Sequence, residues 1–338
     1  MTDNIMVSIS MVTYNHEDYI RQAVDSVFAQ KTTFEFELIV GEDCSTDNTR
    51  AVLLSLKEEY GDRMRLVLHE TNQGLSRNSA SIRALMRGKY SASLEGDNFW
   101  TDEYKLQKQF DFLEAHPDIP AVAHDYAVVF ADGKVSCDAR LRIKKDFLWG
   151  WKNFKKYGLT LRSSTVMMRR AIFPVDDEKY KELRMIAPTM GDTISFSIYC
   201  HLGGVYVMHD VMAAMRMPGK KDTSSFSFSN KNKMVEYTYM YIDIVRALEK
   251  YFDGKYDLSP LIANRVTGVL STRLFHPSRV NAKSVNTLWK SLPPKVRMAA
   301  VVKMIRKTIC SFCRGIVNRL RKKIKGEMYY DGTKRCTR

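Results

Sequence analysis

Phe36-Glu37-Leu38-Ile39-Val40-Gly41-Glu42-Asp43-Cys44-Ser45-Thr46-Asp47-Asn48-Thr49 begins as an apolar run, stops on two acids and turns into a helix start. A run of this length closed by Gly is the pattern of a buried strand. Ser45-Thr46-Asp47 supplies a capping side chain and an acid for a first helical turn. Val52, Leu53 and Leu56 then continue at helical spacing. Upstream, Val7–Val12 is a shorter apolar run that ends in Thr13-Tyr14-Asn15, and Ile20, Ala23, Val24, Val27 and Phe28 follow with helical period. Downstream, Arg65–Leu68 reads as a third strand, Ile82, Leu85 and Met86 as one helix face, and Tyr90–Leu94 as a fourth strand ending in Glu95-Gly96-Asp97-Asn98. Strands alternating with helices of this length imply a parallel sheet with helices on its faces. Such sheets bind ligands beyond the carboxyl ends of their strands. Thr13–Asn15, Glu42–Asp43 and Glu95–Asp97 all fall at that edge.

Beyond residue 100 the pattern is mixed. Leu106, Gln109, Phe110 and Leu113 mark a helix that His116-Pro117 ends, and Ala121–Phe130, Ser163–Met168 and Val205–Met217 read as strands. Gly191-Asp192 precedes a helix through Ile194, Phe196, Ile198 and Tyr199. Residues 222–232 read as a Ser-, Asn- and Lys-rich loop, and Met234–Phe252 as a helix. Hydrophobic residues make up 45% of the 338, which implies a packed core rather than disorder.

The net charge of +15 is concentrated. Residues 283–338 hold 16 Lys and Arg against Glu327 and Asp331, so the body is nearly neutral. Within that tail Met298, Val301, Val302, Ile305, Ile309, Phe312, Ile316, Leu320 and Ile324 recur at three- or four-residue steps after Pro293-Pro294. This spacing predicts a basic amphipathic helix, or two broken near Gly315, suited to an anionic membrane surface. Aromatic residues for base stacking are sparse there, so no nucleic acid partner is expected. The six cysteines are scattered, and the Cys310-x-x-Cys313 pair lacks the further ligands of a structural zinc site. Met1–Met6 has no basic segment leading into an apolar run, and no stretch approaches ~20 uninterrupted apolar residues. A cytoplasmic protein held peripherally at the inner face of the cell membrane is the expectation.

Glu95-Gly96-Asp97 places two carboxylates at alternate positions after a strand, an arrangement able to hold a divalent cation against a diphosphate. The segments Val7-Ser8-Ile9 to Thr13-Tyr14-Asn15, Glu37 to Thr49, Asn72-Gln73-Gly74, Glu95 to Trp100 and Lys105-Leu106-Gln107-Lys108-Gln109 together resemble the glycosyltransferase family 2 proteins. The likeness covers about the first 120 residues well and continues more loosely to about 218. It implies a GT-A domain: a Rossmann-like α/β/α nucleotide-sugar-binding fold, here with a helical, basic C-terminal extension. The implied organisation is a nucleotide-sugar-binding half at 1–120, an acceptor-binding half at 121–220, a helical extension at 221–282 and the basic tail at 283–338.

The resemblance also implies roles. Asp43, beside Glu42, matches the acid that accepts a hydrogen bond from the nucleotide base, with helix capping as its structural alternative. Thr13, Tyr14 and Asn15 match the loop under base and ribose, and Arg77 a basic residue near the nucleotide. Glu95 and Gly96 match the start of the acidic motif, with Glu95 facing the ribose or the metal's water shell. Asp97 matches the direct ligand of Mn2+ or Mg2+. Asp192 matches the acceptor-site acid, which takes the proton from an acceptor hydroxyl; helix capping is again the structural alternative. Two positions depart from the pattern. Asn98 stands where many relatives have Asp. Met215-Arg216-Met217-Pro218 lacks the His of a Tyr-Arg-x-His segment, and His209 is out of register. The implied function is an inverting transferase that moves sugar from a nucleotide-diphosphate sugar, with UDP favoured, to a glycan or lipid-linked acceptor for surface polysaccharide. A catalytically degenerate binding protein and a nucleotidyltransferase are the rivals; the latter calls for a Gly-rich phosphate loop that Thr13–Glu17 does not supply.

Overall fold

The computed structural model describes residues 5–130, 141–157, 161–173, 177–186, 190–217 and 233–324, with side chains as far as Ile309. The expected loop at 222–232 and the side chains of Cys310 and Cys313 lie outside that description. Two compact units emerge, one of residues 1–231 with 250–253, the other of 232–249 with 254–338.

The first unit is built on a nine-stranded sheet. Its strands are β1 Ile5–Thr13, β2 Glu35–Glu42, β3 Met64–Leu68, β4 Tyr90–Glu95, β5 Phe99–Trp100, β6 Ala121–Val129, β7 Phe147–Trp149, β8 Met167–Arg169 and β9 Val205–Arg216. They run in the order β3-β2-β1-β4-β8-β6-β9-β5, with β7 paired to β9. The first four are parallel, as the alternation of strand and helix requires; β8 enters antiparallel to both β4 and β6. Its helices are α1 Ile20–Phe28, α2 Thr49–Tyr60, α3 Gly74–Ala84, α4 Lys105–Ala115, α5 Trp151–Tyr157, α6 Glu178–Ile186 and α7 Gly191–His201.

Side-chain alternation decides which helix lies on which face. Val7, Ile9 and Met11 of β1 and Phe36, Leu38 and Val40 of β2 are buried in one cluster with Ile20 and Val24 of α1, Leu53 and Leu56 of α2, and Leu106 and Leu113 of α4. Ile39 points the other way and is buried against Ile82 of α3 and Met86. Fully burying each such side chain is worth about 1.5–3 kcal/mol, so a one-residue slip of β1 or β2 would cost many times that. The register is thereby fixed, with Thr13 opposite Glu42 and Val12 opposite Glu95. All three polar clusters stand level at the carboxyl edge of the sheet.

Two local readings are corrected. Ser163–Met168 is not one strand: Ser163–Thr165 is a 3-10 turn, and the strand begins at Met167. Ser45-Thr46-Asp47 does not start α2, whose N-cap is Asn48 without a side-chain cap. Ser45 accepts the Asn15 N–H instead, and Asp47 accepts from the Glu17 and Thr49 N–H groups.

The second unit is helical: α8 Met234–Tyr251, most of which it contains, α9 Ser259–Phe275, α10 Ala282–Ser291 and α11 Pro294–Ile324. Asn281 caps α10 through its side chain, and Pro294 opens α11 where a missing N–H costs nothing. α11 continues unbroken through Gly315. Its residues divide between two faces. Val296 and Ala300 are buried, the Ala300 carbonyl accepts from Thr267 of α9, and Lys303 donates to Pro260 O and Asn264 Oδ1. Met298, Val302, Ile305 and Ile309 form an exposed stripe, 70%, 42%, 50% and 56% accessible, so only part of the apolar pattern packs inward. No described helix is long and apolar enough to cross a membrane.

Candidate active site

The loops after β1 and β2 are zipped together by hydrogen bonds. Asn15 adopts a left-handed backbone, φ 55°, a conformation that Asn tolerates better than most residues. Its Oδ1 accepts the Thr46 N–H at 2.8 Å, and its own N–H donates to Ser45 Oγ at 3.0 Å. The His16 N–H donates to Thr49 Oγ1 at 2.8 Å, and the Asn48 N–H to Glu17 Oε2 at 2.7 Å. Tyr14, half-buried, sits at the turn of this double loop.

Glu42 is fully buried beneath it. One carboxylate oxygen accepts the Ser45 N–H at 2.6 Å and the other pairs with the Arg50 guanidinium. Both oxygens are engaged, so Glu42 shapes the loop.

Asp43 is a helix cap, but of α3 rather than α2. Its two oxygens accept the Gln73 N–H at 2.7 Å and the Gly74 N–H at 2.9 Å. Its backbone N–H reaches Thr13 O at 3.1 Å, and its carbonyl accepts from Asn72. Each carboxylate oxygen keeps a lone pair. Arg77 stands one turn further along α3, exposed and without a side-chain partner among the described residues.

On the β4 loop, Gly96 fits against Thr13. A Cβ there would lie 2.7 Å from Thr13 Oγ1 and 2.8 Å from Thr13 Cβ, so any side chain forces the β1 and β4 loops apart. Glu95 does not stand free. Ser163 Oγ donates to Oε1 at 2.8 Å, and Ser164 Oγ and Asn98 Nδ2 donate to Oε2 at 2.6 and 2.8 Å. Asn98 also accepts the Arg216 N–H at 2.9 Å. An Asp at 98 could not donate to Glu95, so this departure from the family pattern makes a clip between β4 and β9. The Arg216 guanidinium donates to the Asp97 carbonyl and to Gln22, and lies over the Tyr19 and Phe99 rings. Burial lowers its pKa and the neighbouring Asp97 carboxylate opposes that shift. Asp97 is half-buried at the site edge. His209 lies elsewhere, exposed and hydrogen-bonded to Asp146 at 2.6 Å. Behind the site, Lys105 is wholly buried with its amine 3.9 Å from the Trp100 ring, and burial depresses its pKa strongly.

Asp192 lies in the first turn of α7 but does not cap it; the N-cap is Met190. Its side chain is exposed, with protein packed around its base. That crowding, and next the Glu95 carboxylate, push its pKa up to about 6; Arg162 and Arg184 act in the opposite direction. A helix N-terminus by itself would have lowered it. Arg184 packs over Gly191, where a Cβ would meet the guanidinium at 2.7 Å. Sequence reading did not single out Ser163, Ser164, Arg162 or Arg184; each depends on a contact distant along the chain. Among the described residues no group of three or more His, Cys, Asp and Glu forms a ready metal cage.

A mixed sheet with helices on both faces, its acidic loops meeting at the carboxyl edge, defines a GT-A domain. Residues 8–174, just under half of the chain, match the model of glycosyl transferase family 2. An uncharacterized protein of Mycobacterium tuberculosis, Rv1520, is 39% identical over 127 residues, covering 38% of this chain and 37% of its own length. Bacillus subtilis TuaG, named as a teichuronic acid biosynthesis glycosyltransferase, is 39% identical over 110 residues, 32% of this chain and 42% of TuaG. The chain thus matches well under half the length of these relatives. Among solved structures, S. aureus TarS 1-349 with UDP superposes with TM-score 0.63 at 17% identity, covering 96% of this chain and 93% of that one. The same protein with UDP-GlcNAc gives TM-score 0.62 at 17% identity, covering 92% of each chain. These likenesses extend the shared fold into the helical region.

Proposed function

We infer that the protein is an inverting glycosyltransferase that takes a nucleotide-diphosphate sugar, with UDP as the favoured nucleotide, and glycosylates a glycan or lipid-linked acceptor. The observation that carries this reading is Asp192: an exposed carboxylate in the first turn of α7 that caps nothing and lies close enough to Glu95 to feel its charge. TarS, solved with UDP and UDP-GlcNAc, supports the donor class, and the TuaG name supports a surface polysaccharide product.

The nucleotide would lie across the β1–β2 double loop, its base against Asp43 and its ribose near Thr13–Asn15, with Arg77 beside it. The diphosphate would sit at Gly96-Asp97, where Gly96 allows the close approach of Thr13. Asp97 supplies one hard oxygen donor, and a Mg2+- or Mn2+-type cation is commonly held by one or two carboxylates plus substrate phosphates. The residues present therefore fit a cation that arrives with the donor. When bound, it would neutralise charge on the departing diphosphate. Arg216 contributes fixed positive charge near Asp97. Glu95, held by three donors, would keep the Ser163–Ser164 turn under the sugar site, and its charge adds to the burial that raises the Asp192 pKa. As the acceptor oxygen bonds to the anomeric carbon, the bond to the diphosphate breaks and the hydroxyl proton passes to Asp192. A single displacement inverts the anomeric centre. In Asp97→Asn, calorimetry should show at least about tenfold weaker donor binding with Mn2+ and little change without it; undiminished metal-dependent affinity contradicts the assignment.

The basic tail would hold the enzyme to an anionic membrane at the inner face of the cell, near a lipid-linked acceptor. Each Lys or Arg at such a surface contributes about 1 kcal/mol. A chain ending at residue 282 would strip Val296 and Ala300 from the helical core and is expected to aggregate. A chain ending at Ile309 keeps that packing and loses nine Lys and Arg. It should stay folded and co-sediment less with phosphatidylglycerol vesicles, while full-length binding should fall in high salt. A full-length protein that ignores anionic vesicles contradicts the membrane reading.

A further inference from the structure

The helical unit holds a cleft of about 440 Å³ along one face of α9, closed by the start of α8 and by α11. Asn264, Arg265, Gly268, Phe275, His276 and Lys307 line it. Arg265, His276 and Lys307 form no ion pair and no side-chain hydrogen bond among the described residues; Arg265 rests only over the Tyr241 ring, 5.9 Å from its centroid. Among the described residues no carboxylate lines the cleft. Two basic side chains and an imidazole without counter-charge among the described residues suit an anion.

Gly268 is the second observation. It lies inside α9, where glycine weakens a helix relative to alanine. No close packing demands it, because a Cβ there would meet nothing within 4 Å. What glycine provides is open space at the middle of the cleft wall. The third is the apolar mouth: Phe275 lines the cleft and is 58% exposed, as is its neighbour Leu274. The volume falls in the range of sites for whole small molecules, well beyond a bare phosphate ion. The cleft also differs from the exposed stripe of α11. Lys307 follows Val296, Ala300 and Lys303 on the α9-facing side, whereas Met298, Val302, Ile305 and Ile309 face away.

We propose that this cleft binds a lipid phosphate, with Arg265, His276 and Lys307 around the phosphate and the apolar chain leaving over Gly268 and past Phe275. The site lies within the helical unit and does not depend on the transferase reading. It places a single lipid headgroup in a defined pocket, in addition to the diffuse attraction of the tail for a charged surface.

The test is calorimetry on the full chain with dihexanoyl phosphatidic acid below its micelle concentration, alongside dihexanoyl phosphatidylcholine and inorganic phosphate. One saturable site is expected for phosphatidic acid, at least about tenfold tighter than for the other two, since only it offers both a net negative terminal phosphate and the chain. Gly268→Leu fills the cleft and should weaken binding about tenfold or more while leaving the melting temperature no lower than wild type. Arg265→Gln should weaken it similarly without filling the cleft. Absence of saturable binding, equal affinity for inorganic phosphate or phosphatidylcholine, or unchanged affinity in a folded Gly268→Leu protein overturns the proposal. None of these outcomes bears on vesicle attachment through the tail, which is read by sedimentation.

Discussion

Asp192→Asn is expected to lower kcat by about 10²-fold or more and to leave the Kd for donor within about twofold. In the proposed mechanism the carboxylate would act on the acceptor hydroxyl in the transition state, whereas the donor would be held by other loops. Asn has nearly the same shape, and Asp192 caps no helix, so the fold should survive. The wild-type rate should also fall as pH drops below about 6, because the base must be ionised and burial has raised its pKa to that value. The same shift has a consequence for stability. A carboxyl whose pKa is higher folded than unfolded contributes stability that is complete below the unfolded value and is lost as pH rises through the folded one. Asp192→Asn should therefore raise the melting temperature at pH 8 and change it little near pH 4. Near-normal turnover in this variant would assign the base to another group.

Asp43→Ala should weaken free nucleotide by about 10²-fold, since a buried carboxylate aimed at a ring N–H discriminates strongly. Asp43 is only 4% exposed and also holds the Gln73 and Gly74 N–H groups, so the variant should lose on the order of 1–2 kcal/mol of stability as well. The two effects separate by experiment. Binding is measured by titration well below the melting temperature, and stability by urea denaturation. A folded variant that binds nucleotide as wild type does would leave Asp43 as the α3 cap alone.

The parallel half of the sheet was legible because one physical pattern dominates it. β1, β2 and β4 alternate cleanly between two covered faces and stop at Gly, Asn or acid, so strand ends and the site edge could be read together. Misreadings arose where a side chain with a familiar local use is committed to a distant partner. Ser45 looks like a helix cap but binds the β1 loop 30 residues away, and Asp47 divides its oxygens between that loop and the Thr49 N–H at the start of α2. Asp43 is a cap, yet for a helix starting 31 residues on. Asn98 reads as a missing charge until its amide is seen joining Glu95 to Arg216. Glu95 reads as facing the ribose or a metal's water shell, and nothing in the sequence signals that Ser163 and Ser164 hold it. In α11, heptad-like spacing could not divide the apolar residues between the α9-facing side and the exposed stripe, because that division depends on where α9 lies.

The most direct test of the transferase reading follows the sugar itself. Wild-type protein is incubated with Mn2+ and UDP-α-sugars, with GDP- and dTDP-sugars for comparison. Proton NMR then records the anomer released by slow hydrolysis before mutarotation, alongside the nucleoside diphosphate. The account predicts UDP release from at least one UDP-α-sugar, with the β-anomer appearing first, and loss of that release in Asp192→Asn. Initial release of the α-anomer, or no nucleoside diphosphate from any nucleotide sugar, would contradict it.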